Sequence, residues 1–337
     1  MASISNLLQI QDGYAIFIEQ RSSAICFFAV QSSIYSTKNL DDNEWYIFKD
    51  SNTVEIVYKS IVPLGAIANI TPGIQTGCDK LSLSHISTYS LSINKYIKDE
   101  GIFVLNDDEI KKFNEDELKH IRPMYKNSDI QKWKTETKNS KWILITNDID
   151  NIELYPNIKF HLLKFKQILD GRYRNFALLN ADKEGKWWYL YGYRPNTNFE
   201  GEKIINANRA IGNVFTYSKE PFYATMDLFF TIVKNPNLYK TKYILAVLNS
   251  KFINYWLSQN CKKKGQMYEL IAEPLSKIPI KIANNNIQNE FVLLVDEIFA
   301  LNKNDSQYIQ VINNINKKVY ELYELTNEEI DLIEGGY

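Results

Sequence analysis

The sequence predicts an α+β fold, with short strands up to about residue 235 and helices after residue 240. Up to residue 235 the apolar runs are short and rich in β-branched and aromatic residues, which favours strands. After residue 240 apolar residues recur every three or four positions, as in Tyr243–Leu257, which favours helices that bury one face. The chain is therefore expected to be rich in strands first and helical at its end.

Length and composition describe an ordinary globular chain. Its 337 residues suit two domains, or one large domain with an appendage. The apolar fraction is 45% and no apolar run approaches the length of a membrane span, so we expect no membrane association. The N-terminus has no signal-peptide pattern, and the three cysteines are far apart without metal-ligand spacing. These features predict a cytoplasmic protein with reduced thiols.

The first part of the chain is predicted to form strands and turns. Residues 1–60 alternate short apolar runs with polar breaks and predict strands. In the following segment, Gly73–Gly77 is interpreted as a hairpin in which two backbone positions need glycine. It is not a phosphate-binding loop of nucleotide hydrolases, because the required Gly-Lys-Ser/Thr ending is missing. Asp129 is expected to cap a turn, although a catalytic acid is the alternative.

Helices are predicted from apolar spacing. Residues 156–174 have an apolar face and a basic face, which predicts one amphipathic helix. Residues 243–257 predict a buried helix, or a pair of helices broken at Asn249-Ser250. Two more helices are expected at 291–301 and 309–323, and a capping box from Thr326 to Glu329 begins a last short one.

Charge is unevenly distributed, although the net charge is only -1. Residues 156–209 hold ten basic and five acidic side chains, interleaved with aromatics such as the Trp187-Trp188 pair, one of which we expect in the core. From Gln288 onward acids dominate, and the lysines there are Lys303, Lys317 and Lys318. A basic middle and an acidic end suggest one face for a polyanion and another for a different partner.

Several short motifs occur in the order known from one family. They are Gly73-Ile-Gln-Thr-Gly77, Asn127-Ser-Asp-Ile130, Tyr155-Pro-Asn-Ile-Lys159, Trp187-Trp188 before Arg194, Leu248-Asn-Ser-Lys251, Pro274-Leu-Ser-Lys-Ile-Pro279 and Val319-Tyr-Glu-Leu-Tyr323. Together they resemble the TaqI-like C-terminal specificity domain, the target-recognition part of adenine-N6 DNA methyltransferases and of type IIG restriction–modification enzymes. The resemblance covers roughly residues 61–333.

This resemblance implies a domain organisation and a function. It implies a lead-in or the end of a preceding methyltransferase-side module at 1–60, a β-rich DNA target-recognition domain at 61–282 and a C-terminal α-helical hairpin at 283–337. The partners would be duplex DNA and a methyltransferase domain or subunit. No Asn-Pro-Pro-Tyr-type motif occurs in the sequence. The chain is therefore expected to be a non-catalytic recognition part, and S-adenosylmethionine would bind the absent methyltransferase domain.

Residue type and location select the candidate DNA contacts. Lysine is suited to phosphates, whereas arginine and glutamine can read guanine and adenine with two hydrogen bonds each. The expected phosphate contacts are Lys126, Lys132, Lys159, Lys166, Lys262, Lys263 and Lys264. The expected base contacts are Arg172, Arg174, Arg194, Arg209 and Gln266.

Two other functions compete with DNA recognition. The chain could be a non-DNA-binding interaction subunit that docks a partner through its acidic helical tail. It could also be an enzyme, but His85, His120 and His161 have no nucleophile or carboxylate at a telling spacing. His161, among lysines, is expected at the surface or on a phosphate.

Overall fold

The structure is a computed structural model, and its description covers part of the chain. The described residues are 9–11, 14–16, 35–36, 61–92, 95–135, 141–172, 185–193 and 199–335. The chain divides into two compact units, residues 1–56 and 57–337. In the first unit β1 (Gln9–Gln11), β2 (Tyr14–Ile16) and β3 (Tyr35–Ser36) form an antiparallel sheet in the order β1-β2-β3.

The second unit contains short strands up to residue 233 and a few beyond. They are β4 (Ile61–Pro63), β5 (Ala68–Pro72), β6 (Val104–Asn106), β7 (Ile121–Tyr125), β8 (Trp133–Lys134), β9 (Lys141–Leu144), β10 (Lys203–Ala207), β11 (Arg209–Ala210), β12 (Phe215–Ser218), β13 (Tyr223–Ala224), β14 (Leu228–Val233), β15 (Lys263–Lys264), β16 (Met267–Glu269) and β17 (Pro279–Lys281).

Its helices are short before residue 240 and longer after residue 284. They are α1 (Leu64–Ile67), α2 (Leu83–Thr88), α3 (Asp107–Ile110), α4 (Glu115–Leu118), α5 (Pro156–Leu163), α6 (Lys166–Gly171), α7 (Thr241–Leu248), α8 (Lys251–Asn260), α9 (Ala272–Ser276), α10 (Asn285–Ala300), α11 (Ser306–Leu322) and α12 (Asn327–Gly335). This distribution confirms the predicted α+β class. No helix of the described residues has the length and apolar character needed to cross a bilayer.

Two larger sheets share one hydrophobic core. The first has the order β5-β14-β10-β12-β8 and is antiparallel except where β8 runs parallel to β12. The second has the order β13-β7-β9-β6, with β13 parallel to β7. Buried side chains of both sheets, including Phe230 and Ile143, pack in one cluster with the apolar faces of α5 and α6. Two small sheets, β11-β16-β15 and β17-β4, complete the unit.

The basic amphipathic helix predicted at 156–174 is two helices in the structure. All the apolar residues of its predicted face are buried: Ile158, Leu162, Phe165, Ile168 and Leu169. The interruption falls between α5 and α6, where Phe165 leaves helical geometry with φ -105° and ψ 9°. There the Tyr96 hydroxyl donates to the Lys164 carbonyl at 3.1 Å. Periodicity predicted the buried face correctly, but it could not detect the break.

Near the C-terminus the helical predictions are confirmed. The 243–257 stretch is the predicted pair, α7 and α8, and the chain turns between them at Asn249. The capping box is formed, since Thr326 N–H donates to Glu329 and Glu329 N–H donates to the Thr326 hydroxyl. Residues 275–282 are only partly extended, because α9 precedes β17.

The segment Gly73–Gly77 is not a hairpin but a crossing between sheets. Ile74 bridges Thr225 in parallel, and Gln75 bridges Gly192 in antiparallel fashion. Glycine is required at both ends for different reasons. A Cβ on Gly73 would lie 2.3 Å from the Thr225 carbonyl oxygen, whereas Gly77 has a φ of +76°.

Candidate nucleic-acid interface

An exposed basic hairpin stands out on the surface of the second unit. It comprises β15, β16 and the two-residue loop Gly265-Gln266, with Lys263 opposite Tyr268 and Lys264 opposite Met267. Gly265 has a φ of +63°, which a two-residue hairpin loop requires and glycine adopts without strain. We call residues 262–269 the basic hairpin.

The side chains of the basic hairpin are oriented by its strand pairing. Lys262, Lys263, Lys264 and Gln266 are all exposed. The Lys263 ammonium lies 5.5 Å from the ring centroid of Tyr268, which is itself buried. One aromatic anchor in the core therefore holds a lysine-rich tip in solvent, an arrangement suited to a polyanion.

Arg209 joins the basic hairpin through the third strand of its sheet. Strand β11 pairs with β16, which places Arg209 opposite Glu269. Its guanidinium lies 3.9 Å from the Glu269 carboxylate and remains well exposed. The structure thus brings together five of the predicted DNA contacts on one sheet: Arg209, Lys262, Lys263, Lys264 and Gln266.

A groove of about 510 Å³ lies beside the crossing at Gly73–Gly77. We call it the Asp79 groove. Residues 74–82 form one wall and Thr225–Asp227 the other, with His85 and Asp99 also lining it. Its size is in the range of pockets that hold a small organic group such as a base.

Carboxyl groups of both walls meet in the Asp79 groove. The Thr76 hydroxyl donates to Asp79, while burial and the charge of Asp227 raise the pKa of Asp79. Asp79 lines the groove and is exposed as a residue, so its carboxyl group can be reached from solvent. An acceptor held in this way, close to a second carboxylate, favours a hydrogen-bond donor from a ligand.

Lysines gather at the same place. Lys80 lines the Asp79 groove, and both Lys80 and Lys126 act electrostatically on Asp79. Lys141 is the third member: burial, and then the neighbouring Lys126 and Lys80 ammonium groups, lower its pKa. Lys126 is exposed, as its predicted role requires. Lys80 therefore places one ammonium group in the wall of the groove, and Lys126 and Lys141 lie near it, with Asp129 also acting on Lys141.

The Asp79 groove and the basic hairpin are connected through one residue. Asn208 N–H donates to the Asp227 carbonyl at 2.8 Å, and the Asn208 carbonyl accepts from Leu270 N–H at 2.9 Å. Asp227 belongs to the groove, and Leu270 directly follows β16. The two features are neighbours on a hydrogen-bonded framework and form one candidate interface.

Three predicted phosphate contacts are already engaged within the protein. Lys132 is half-buried, donates to Asn213 at 3.0 Å, and has its pKa lowered to about 8 by burial. Lys159 pairs with Glu153 at 2.6 Å. Lys166 pairs with Asp170 at 2.7 Å and lies 5.1 Å from the Trp187 ring centroid. Lys132 is the clearest departure, because its ammonium faces the interior.

Arg172 differs from the prediction that it reads a base. Its side chain is buried, and its guanidinium donates to the carbonyl oxygens of Thr76 at 2.7 Å and Tyr189 at 3.1 Å. Arg172 therefore supports the crossing at Gly73–Gly77 from inside, and it is not on the recognition surface. The two other central arginines, Arg174 and Arg194, lie outside the described residues, so their role stays a prediction.

The histidines have structural partners. His161 Nε2 donates to the Ile102 carbonyl at 2.9 Å between Phe113 and Phe165, and burial lowers its pKa. The expectation of a surface or phosphate contact for His161 was wrong. His120 does have a carboxylate partner, Asp148 at 3.1 Å, which sequence spacing did not indicate.

Cys78 and His85 do not form a nucleophile pair. The sulfur lies 3.9 Å from His85 Nδ1, and that nitrogen accepts from Ser82 N–H at 3.2 Å. Burial raises the pKa of the Cys78 thiol to about 12, so the thiol stays protonated. In the described part of the chain no group of His, Cys, Asp and Glu is arranged to hold a metal ion.

Asp129 has the turn-capping role that was predicted. Its carboxylate accepts from the Lys126 N–H at 2.7 Å across the 3-10 turn Asn127–Asp129. Of the tryptophan pair, Trp188 is buried and donates to the Ile149 carbonyl at 3.0 Å, while Trp187 is half-buried.

Sequence reasoning missed four residues of the interface: Asp79, Lys80, Lys141 and Asp227. The glycine motif just before Asp79 was the available signal for the first two. Lys141 and Asp227 carry no local signal, because only the pairing of distant strands brings them to the groove.

Comparison with known proteins finds one family that part of this chain resembles. Residues 122–280 match the family model of the TaqI-like C-terminal specificity domain. Residues 122–280 are thus similar to a TaqI-like specificity domain, which confirms the resemblance indicated by the motifs of the sequence. The match includes β11 and the whole basic hairpin.

The chain is also similar to individual proteins. The Type II methyltransferase M.MjaIV of Methanocaldococcus jannaschii is 26% identical over 241 residues, 66% of this chain and 78% of the relative. The Type IIL restriction–modification enzyme MmeI, solved in complex with DNA, has a TM-score of 0.56 and 14% identity. That likeness covers 90% of this chain but 38% of MmeI, and it is one of fold alone. The type IIG restriction endonuclease BpuSI has a TM-score of 0.42, with 32% of its length covered.

Proposed function

We propose that this chain recognises a specific DNA sequence for an adenine-N6 DNA methyltransferase of a restriction–modification system. The observation that supports the proposal is that the family match and the exposed cations fall on the same part of the chain. The specificity-domain match spans residues 122–280, and the same residues contain the exposed cations gathered on one sheet.

In the proposed mechanism the lysines of the basic hairpin bind phosphates and fix the register on the duplex. The polar tip of the hairpin, with Gln266, and Arg209 on the third strand then contact base edges in the major groove. A two-stranded β-ribbon fits the width of that groove. A catalytic domain or subunit would flip the target adenine out of the stack.

We place S-adenosylmethionine and methyl transfer outside this chain. The sequence has no Asn-Pro-Pro-Tyr-type motif. The name of the relative M.MjaIV makes methyl transfer by the chain itself the alternative to test. Incubation of the purified chain with S-adenosylmethionine and duplex DNA should yield no methylated adenine. Methylation of a defined site would show that the chain is an enzyme.

The interaction-subunit alternative rested on the acidic tail. Five tail acids, half of the ten after Gln288, are paired with lysines of the same chain. The pairs are Asp296–Lys242, Glu334–Lys251, Glu324–Lys281, Glu290–Lys318 and Glu321–Lys317. Three of these join the tail to elements before residue 283. Three of the ten tail acids therefore attach the tail to the rest of its own chain, and two more are paired within the tail, which favours DNA recognition over docking.

The test is selection of bound DNA from a randomised duplex pool, with fluorescence anisotropy of the selected site at several salt concentrations. We expect an enriched motif and an affinity that falls steeply with salt. Replacing Lys262, Lys263 and Lys264 together by glutamine should lower the salt slope by about 0.9 for each lost phosphate contact.

Lys317→Gln is the matched control. Lys317 is highly exposed and lies on α11, and its ion pair with Glu321 is long at 3.9 Å. It should leave the affinity and the salt slope unchanged. An unselective pool, together with no salt-dependent binding by the wild-type chain, would reject the proposed function.

A further inference from the structure

We propose that the Asp79 groove receives one nucleotide of the bound DNA. Lys80 and Lys126 would bind its backbone phosphate, and the Asp79 carboxylate would accept a hydrogen bond from the exocyclic amino group of its base. The inference rests on the proposed function and assigns it a second contact region beyond the basic hairpin.

The first step concerns the lysines beside the groove. Lys80 lines the groove beside Asp79, and both Lys80 and Lys126 lie close enough to act electrostatically on the Asp79 carboxyl group. Ammonium groups at the edge of a groove attract an anionic ligand. A DNA phosphate is the anion that the proposed function supplies.

The second step is the carboxylate side of the groove. Thr76 donates to Asp79 Oδ1, which orients the carboxyl group and leaves its other oxygen available to a ligand. Asp227, on the opposite wall, adds a second carboxylate that can accept a hydrogen bond. An amino group that donates two protons suits this pair, and cytosine N4 and adenine N6 are such groups.

The third step concerns the connection between the Asp79 groove and the basic hairpin. The Asp79 groove and the basic hairpin are linked through backbone hydrogen bonds of Asn208. We therefore expect a duplex that lies on the hairpin to reach the groove as well. Glycine at position 73 lets the Thr225–Asp227 wall approach the crossing, because any side chain there would meet the Thr225 backbone at 2.3 Å. The narrow separation of the two walls is therefore built into the sequence.

Two variants separate the two halves of the inference. Lys126→Gln should weaken binding of all DNA sequences equally and reduce the salt slope by about 0.9. Asp79→Asn keeps the shape and can still accept from Thr76, but it presents an amide N–H where the carboxylate stood. Selection with this variant should lose about tenfold or more of the preference at one base pair. The new preference should be for a base with an acceptor at that position.

Asp108→Asn and Lys317→Gln are the controls. Asp108 is fully exposed and pairs with Lys111. Both controls should keep the wild-type motif and salt slope, and all variants should keep the wild-type melting temperature.

The outcomes distinguish this inference from the proposed function. If the wild-type chain selects a motif but Asp79→Asn and Lys126→Gln retain both the motif and the slope, only the groove inference is wrong. If the wild-type chain shows neither selection nor salt-dependent binding, both are rejected. A changed preference at one position in Asp79→Asn, with a lower slope in Lys126→Gln, is the result expected from a bound nucleotide.

Discussion

The side chain of Asn249 pairs with the backbone of Phe215 as a neighbouring strand would. Its Oδ1 accepts from the Phe215 N–H at 3.1 Å, and its Nδ2 donates to the Phe215 carbonyl at 2.9 Å. Nearby, the Asn213 amide donates to the carbonyls of Leu248 and Ser250, both at 2.7 Å. The Leu-Asn-Ser motif therefore joins the helical part of the chain to the five-stranded sheet.

Asn249→Ala should destabilise the protein by about 2–3 kcal/mol, because two buried backbone groups of Phe215 lose their partners. The free energy of unfolding from urea denaturation measures this. Asn314→Ala, at an exposed position of α11, is the control and should change it by less than about 0.5 kcal/mol. Equal effects of the two variants would contradict the structural role of Asn249.

Arg172→Met should cost about 3 kcal/mol, because the carbonyls of Thr76 and Tyr189 lose a charged donor in the interior. Lys264→Gln is the contrasting variant, since Lys264 is exposed. It should weaken DNA binding and leave the urea midpoint unchanged. A stable Arg172→Met protein with an altered DNA preference would instead indicate that Arg172 contacts DNA bases.

Gly73→Ala should destabilise the protein by about 3 kcal/mol or more, because its Cβ would meet backbone atoms that cannot move aside. Gly185→Ala is the control: it has a φ of +72° but nothing within 4 Å of the new Cβ. Left-handed strain alone should cost about 1 kcal/mol there. Thermal melting of the two variants compares them, and a milder effect at Gly73 would be inconsistent with the close approach of the groove walls.

Stability should depend on pH through Lys203. This side chain is buried, donates to the carbonyls of Gly201 and Glu220, and has its pKa lowered to about 8 by burial. Between that pKa and the pKa of an unfolded lysine, the unfolded chain binds more protons than the folded chain. Stability contributed by this group therefore rises with pH.

Comparison with Lys203→Met isolates the effect from other titrating groups. From about pH 7 to about pH 9.5, the unfolding free energy of the wild type should rise relative to Lys203→Met by about 2 kcal/mol. Urea denaturation at each pH measures the difference. A difference that stays constant with pH would show that the Lys203 pKa is not lowered.

Periodic and local signals in the sequence predicted much of the fold. The buried face of 156–174, the break at Asn249 and the capping box at Thr326 each depend on residues within a few positions of one another. Interactions of this kind act locally, so they can be read without knowing the fold. The five basic and polar residues of the hairpin sheet were also selected from the sequence, by residue type.

The tertiary structure determined which single side chains are exposed and which are buried. Lys132 and Arg172 have the composition of DNA contacts, but the strand order β5-β14-β10-β12-β8 and the crossing at Gly73–Gly77 turn them inward. Lys141 and Asp227 carry no signal of their own and reach the Asp79 groove through the pairing of distant strands. The sequence by itself determined the α+β class, the helical end and the family resemblance, because each rests on spacing along the chain. Which cations face solvent and which are buried was settled only by the packing of sheets, because burial depends on contacts between residues far apart in sequence.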